Sequence, residues 1–212
     1  MLEVRNIRCR VGDFVVTAES LSVSTGQTKC LMGKSGSGKS TFLLALSGFI
    51  PIDCGSVFVN GMPMHELPPE KRKMALVFQR GALFPSMTAF QNVEFGLRVQ
   101  GVAVDERRKR VLELLERFQV GALHDRLPHQ LSGGEAQRVA FARALAPKFP
   151  VLLMDEPFSA LDVELRNDLR LLLKNTVSEL QLSALMVTHD PDDVKFFGNE
   201  ALQMVKGKLV LN

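Results

Sequence analysis

The run Gly33-Lys34-Ser35-Gly36-Ser37-Gly38-Lys39-Ser40 fits the spacing G-x-x-x-x-G-K-S/T in full, and each residue type in it has a task in holding phosphates. Glycines let successive backbone N–H groups wrap the α and β phosphates, Lys39 reaches the β and γ phosphates, and the Ser40 hydroxyl ligates Mg²⁺. Lys34 reads either as a further phosphate contact or as a solvated charge. The competing reading of the whole run is a flexible Gly/Ser loop with an incidental lysine. Its placement between a strand and a helix argues against that.

A second anion-binding pattern lies further along the chain. In Leu131-Ser132-Gly133-Gly134-Glu135-Ala136-Gln137-Arg138, a Ser-Gly-Gly run opens a helical pattern and offers free N–H groups, a helix dipole and a hydroxyl together. Beyond it, Val151-Leu152-Leu153-Met154 ends on Asp155 and Glu156, where a parallel sheet presents its ligands. Asp155 suits the shell of a Mg²⁺ ion, directly or through water. Glu156 is then placed to orient or deprotonate an attacking water. The alternative is that these acids cap a helix beginning after Pro157.

His189 follows the apolar run 184–187 in the same manner, able to contact a γ phosphate or the water, although a single histidine is more often structural. Gln79 ends another apolar run and reads either as a neutral amide oxygen for Mg²⁺ or water, or as a solvated loop residue.

The elements that must position these groups are legible from periodicity. Strands are expected over 2–7, 14–23, 29–32, 55–59 and 74–79, with Asn60-Gly61 as a turn. A helix follows the glycine loop over 41–46 and stops near Gly48. Helical periodicity then dominates: Thr88 to Gln91 reads as a capping box, and 105–118 is an amphipathic helix with Val111, Leu112, Leu114, Leu115 and Phe118 on its apolar side. Another helix spans 134–145. Strands at 151–154 and 184–187 flank a helix at 163–180, a βαβ unit, and 201–205 with 208–211 form a closing hairpin around Lys206-Gly207.

The expected fold is α/β: a P-loop NTPase core with an antiparallel β layer and an inserted helical subdomain. The core takes 1–79 and 148–212 of a single domain, 1–212, and the helical subdomain takes 80–147.

Composition narrows the function classes. The 212 residues are 46% hydrophobic and 23% charged, with a net charge of +3 whose two signs are interspersed. That balance is too weak to argue for nucleic acid. Cys9, Cys30 and Cys54 have no close pairing and lie in or beside apolar strand patterns, so buried free thiols in a reducing compartment are expected. No signal peptide and no run of about twenty apolar residues is read, so work at a membrane is expected to go through a partner.

In these ordered motifs the chain resembles an ATP-binding-cassette ATPase, the nucleotide-binding subunit of ABC transporters, over essentially its whole length. Gly33 to Thr41 match the Walker A motif, Gln79 the Q-loop, Leu131 to Arg138 the signature, Val151 to Glu156 the Walker B motif, Ser159 to Asp162 the D-loop, and His189 the switch histidine. The resemblance implies ATP and Mg²⁺ as ligands and a head-to-tail homodimer. ATP on one subunit's Walker A loop would be covered by Ser132, Gly133 and Gly134 of the other. Asp162 would lie at the interface, with Glu156 and His189 acting in cis.

It also implies integral-membrane permease subunits, with or without a substrate-binding protein, and a peripheral position on the cytoplasmic face of the cell membrane. Residues 83–97 are similar to the segment after the Q-loop in bacterial importers. Apolar residues there, Phe95 and Leu97 among them, would be subdomain core if buried and part of a groove for a permease helix if exposed.

This sequence departs from the family pattern in three ways. The family stacks adenine on an aromatic ahead of Walker A, often Tyr; this chain has neither Tyr nor Trp, and Phe14 either serves or is core. Glu135 stands where the signature commonly has Gln. Many importer ATPases carry a regulatory domain after the switch histidine, whereas 23 residues follow His189 here, so regulation through such a domain is not expected. A soluble ABC ATPase acting on nucleic acid or ribosomes is the alternative, disfavoured by the absence of coiled-coil insertions and of a second cassette. A small-molecule kinase would leave the Ser-Gly-Gly helix and His189 unexplained.

Overall fold

The computed structural model describes residues 1–79, 82–198 and 201–210. The expected subdomain start at 80 and the last expected strand residue, Leu211, lie outside the described residues. The elements run β1 (Leu2–Val11), β2 (Phe14–Val23), β3 (Gln27–Met32), α1 (Lys39–Ser47), β4 (Ile52–Val59), β5 (Met62–Pro63), β6 (Met74–Val77), α2 (Ala89–Val99), α3 (Val104–Arg117) and α4 (Gly133–Leu145). After them come β7 (Val151–Asp155), α5 (Val163–Glu179), β8 (Ser183–Val187), α6 (Pro191–Phe197), β9 (Ala201–Val205) and β10 (Lys208–Val210). Two compact units result. Met1–Leu76, Phe149–Glu156 and Leu173–Asn212 form one, and Val77–Lys148 with Pro157–Leu172 form the other.

The sheet order is β5, β4, β1, β2, β10, β9, β3, β8, β7, β6. β1 pairs antiparallel with both β2 and β4, whereas β3, β8 and β7 are parallel neighbours. Burial follows this division. In β1 the residues Leu2, Val4, Ile7 and Cys9 are buried and Arg5, Arg8 and Arg10 exposed, as a strand with one solvated face requires. A register shift between Arg5 and Arg8 changes the alternation partway along the strand. β8 is buried from end to end and β7 through Met154, because parallel strands are covered on both faces.

Helix α1 packs Phe42, Leu43, Ala45 and Leu46 into the same core as Val151, Leu153 and Leu185. Each of the leucine, valine and phenylalanine side chains contributes roughly 1.5–3 kcal/mol by leaving water. Its C-terminus is finished by a residue distant in sequence: Arg72, 4% exposed, donates to the Ala45 and Leu46 carbonyls, each at 2.9 Å, and to those of Leu67 and His65 at 2.8 and 2.9 Å. The guanidinium both caps carbonyls and complements the negative end of the helix.

In the second unit, α2 begins with a reciprocal capping box between Thr88 and Gln91. The rings of Phe118 and Phe141 stack at 5.9 Å, and Phe158 adds to Phe141 at 6.4 Å. Leu97 is subdomain core, and Phe95 lies against the half-exposed Phe84 at 4.8 Å.

Several expectations are corrected. Leu112 is 38% exposed: Val111, Leu114, Leu115 and Phe118 take the helical i, i+3, i+4, i+7 stripe, and Leu112 lies about 100° round from Val111. Cys54 is exposed, on the solvated side of β4 beside the register shift, while Cys9 and Cys30 are buried as expected. The strand expected over 74–79 ends at Val77, which leaves Gln79 in a turn.

Candidate functional site

In the first unit the chain leaves β3 at Met32 and enters α1 at Lys39, and two glycines of the connecting loop are dictated by sterics. A Cβ on Gly33 would meet the Met204 carbonyl oxygen at 2.5 Å, and one on Gly38 (φ +107°) would meet Val16 at 2.9 Å and the Phe14 ring at 3.1 Å. The ammonium of Lys39, itself 7% exposed, donates to the carbonyls of Gly33 at 2.8 Å and Lys34 at 3.0 Å, curling the loop around its own cation. Phe14 is 38% exposed and borders a cleft with Gly33, Lys34, Ser35, Gly36 and Ser37. Its ring is therefore not core.

Asp155 ends β7, close enough to the Ser40 hydroxyl at the start of α1 to feel it electrostatically. Burial raises its carboxyl above the ordinary range and the Ser40 hydroxyl works against that. The neighbouring charge of Glu156 raises it further and that of Lys39 lowers it. Glu156 follows in a left-handed conformation (φ +47°), pinned by its N–H donating to the Val187 carbonyl at 2.9 Å. A glutamate in this region ahead of a proline costs on the order of 1 kcal/mol, a strain that aims the side chain.

Its Oε2 lies 3.2 Å from Nδ1 of His189, which leaves the end of the adjacent strand β8. The backbone around that histidine is fixed by its neighbours: the buried Thr188 hydroxyl donates to the buried Asp193 carboxylate and accepts from the Asp190 N–H at 3.0 Å.

In the second unit, Ser132 is the N-cap of α4. Its hydroxyl accepts from the Glu135 N–H at 3.3 Å while the Ser132 N–H donates to the Glu135 carboxylate at 2.7 Å. Glu135, whose place was open in the sequence, is thus the reciprocal partner of a capping box. Gly134 is small because Leu165 packs over it: an added Cβ would lie 3.1 Å from Leu165 Cδ1. Gln79 donates from Nε2 to Ser159 Oγ at 3.1 Å. Asp162 caps α5, accepting from the Leu165 N–H at 3.0 Å.

The structure therefore brings the glycine loop, Lys39, Ser40, Asp155, Glu156, His189 and Phe14 together in the first unit. It places Gln79, Ser132, Gly133, Gly134 and Asp162 in the second. Sequence reasoning did not find the positioning roles of Arg72, Thr188 and Asp193. Arg72 bonds to carbonyls 26 and 27 residues away, which no spacing rule reports, whereas Thr188 and Asp193 are only five residues apart and their bond depends on how the turn into α6 is built.

The family model described as ABC transporter matches residues 16–159, spanning the glycine loop, the Ser-Gly-Gly helix and the acidic strand end. This chain belongs to the ABC transporter family. Among similar ABC proteins is the spermidine/putrescine import ATP-binding protein PotA of Nitrosospira multiformis, 41% identical over 210 residues, covering 99% of this chain and 58% of the relative. The sulfate/thiosulfate import ATP-binding protein CysA of Rhodopseudomonas palustris is 42% identical over 213 residues, covering 98% and 61%. The chain thus spans about six tenths of the length of these curated relatives.

Among solved structures, the ATP-binding cassette MJ0796, described as a dimer in a post-hydrolysis state bound to ADP and Pi, superposes with a TM-score of 0.86 at 32% identity. It covers 99% of this chain and 96% of that one. The α/β architecture of this chain is the P-loop NTPase fold of the ABC cassettes.

Proposed function

We propose that this chain is the ATP-hydrolysing part of an ABC importer, converting ATP and water to ADP and phosphate and driving a membrane permease. The observation that carries the reading is the convergence, in one unit, of the Lys39 loop, the Ser40–Asp155 pair and the Glu156–His189 pair on neighbouring strand ends.

Gly33 to Thr41 hold the triphosphate, and Lys39 exchanges its loop carbonyls for phosphate oxygens. Ser40 and Asp155 offer neighbouring hard oxygen ligands at a helix start and a strand end, and both would fit Mg²⁺. When bound, Mg²⁺ neutralises charge on the phosphates. Glu156 accepts the proton of the attacking water, and His189, within hydrogen-bonding range of that carboxylate, orients it and the γ phosphate. Phe14 packs against the base.

Two copies pair head to tail, so that Ser132, Gly133 and Gly134 of one protomer cover the triphosphate of its partner, with Asp162 at the interface. The dimeric cassette structure and the free donors of α4 support that arrangement. Among the described residues no helix is long and apolar enough to cross a membrane, and the relatives are named as import ATP-binding proteins. The names of those relatives support a peripheral position on the cytoplasmic face, working through permease subunits with or without a substrate-binding protein.

Affinity capture from detergent-solubilised membranes tests this: an integral-membrane permease is expected to copurify, and ribosomes or DNA in its place overturn the reading. In vitro, Glu156→Gln is expected to keep ATP affinity and accumulate as an ATP-bound dimer. A variant that stays monomeric in saturating Mg-ATP by light scattering refutes the shared site.

A further inference from the structure

The start of α4 has a chemical peculiarity that its capping function does not require. Three helix starts among the described residues have a side chain reaching back to the N-cap N–H, two of them in reciprocal boxes, at Thr88 and Ser132, and at two of the three that side chain is a neutral glutamine. Gln91 accepts from the Thr88 N–H at 2.9 Å and Gln130 from the Leu127 N–H at 2.9 Å. Only at Ser132 is it a carboxylate, Glu135, accepting at 2.7 Å. The cap needs an sp² oxygen at that reach, and an amide supplies one. The charge is surplus to it.

The helix starts also differ in what is left unpaired. In α2 the first N–H groups are consumed, Ala89 donating to the Arg126 carbonyl and Phe90 to that of His124, each at 2.8 Å. In α4 the N–H groups of Gly133 and Gly134 have no acceptor among the described residues. Two N–H donors and the positive end of a helix dipole attract an anion here, and the fixed negative charge of Glu135, partly offset by Arg126, opposes it. The two hydrogen bonds with Ser132, backbone first, hold the Glu135 carboxyl below its ordinary range, so it is charged at neutral pH.

We propose that Glu135 positions Ser132 through the cap while its charge weakens the grip of this helix start on the triphosphate held by the partner protomer, favouring reopening of the closed dimer. The inference rests on the shared-site function proposed above.

The test is Glu135→Gln, made in the Glu156→Gln background, with the Mg-ATP-dependent monomer–dimer midpoint measured by light scattering at low and at about 0.5 M salt. ATP binding by dilute monomer is measured alongside. The glutamine variant is expected to dimerise about two- to fivefold more tightly per site at low salt, the advantage shrinking at high salt, with monomer ATP affinity unchanged. A purely structural cap predicts no tightening, because the amide preserves the box. Equal or weaker dimerisation, or a tightening insensitive to salt, overturns the proposal. Failure of the Glu156→Gln parent itself to dimerise with ATP is a separate result that removes the shared site, and the inference with it.

Discussion

Nδ1 of His189 lies 3.2 Å from Oε2 of Glu156, although the two residues are separated by the whole of α5 and β8 in sequence. Parallel pairing of β7 with β8, in which Asp155 is registered with Val187, brings the next residues of both strands to the same edge. The carboxylate leaves a strained backbone, and the chain on either side of His189 is fixed by the Thr188–Asp193 and Asp190–Thr188 bonds. The backbone positions of both residues are therefore set before substrate arrives.

If that pair acts as one unit, its deletions are not additive. Glu156→Gln and His189→Ala are each expected to lower kcat for phosphate release by about 100-fold or more with little change in ATP affinity. The double variant should be no slower than the worse single one. Multiplicative losses in a phosphate-release assay would mean that the two groups act independently.

Arg72→Met keeps the apolar stem and removes the donors to four carbonyls around the end of α1. A loss of about 3 kcal/mol is expected, read as a lower urea midpoint with unchanged m. Arg72→Lys is expected to recover little, since an ammonium cannot reproduce the planar fork. A midpoint within experimental error of the parent would show that water satisfies those carbonyls.

The thiols separate by burial. Cys30 is pushed up to about 12 by burial first and by the charge of Asp193 second, whereas Cys54 is exposed. At pH 8 the native protein should react promptly with a thiol reagent at Cys54 and only after unfolding at Cys30. The linkage follows from the raised value: the folded thiol keeps its proton where the unfolded one loses it. Its stabilising contribution is complete below the ordinary value of 9.0 and is lost as pH rises through about 12. Cys30→Ala should flatten the alkaline fall of Tm relative to Cys54→Ala, and equal slopes would count against the assignment.

How far the sequence reached can be traced residue by residue. Lys39, Ser40, Asp155, Glu156 and His189 were legible because phosphate chemistry demands those types at strand ends and helix starts. The P-loop spacing is local enough to be read without a fold. Leu112 and Cys54 were misread because a list of apolar residues does not say which side of a helix or strand meets the core. Glu135 was legible as a charge, but its cap on Ser132 depends on backbone geometry.

By itself the sequence determined the order of the motifs, the strand and helix periods, and the chemistry each motif offers, since all of these depend on neighbours within a turn or a strand. Tertiary structure alone decided that β8 lies between β3 and β7, so that His189 meets Glu156. It decided too that Arg72 closes the helix behind the phosphate loop, and that Leu165 packs over Gly134. These contacts join residues distant along the chain, and their partners are selected by the packing of the whole core rather than by any local preference.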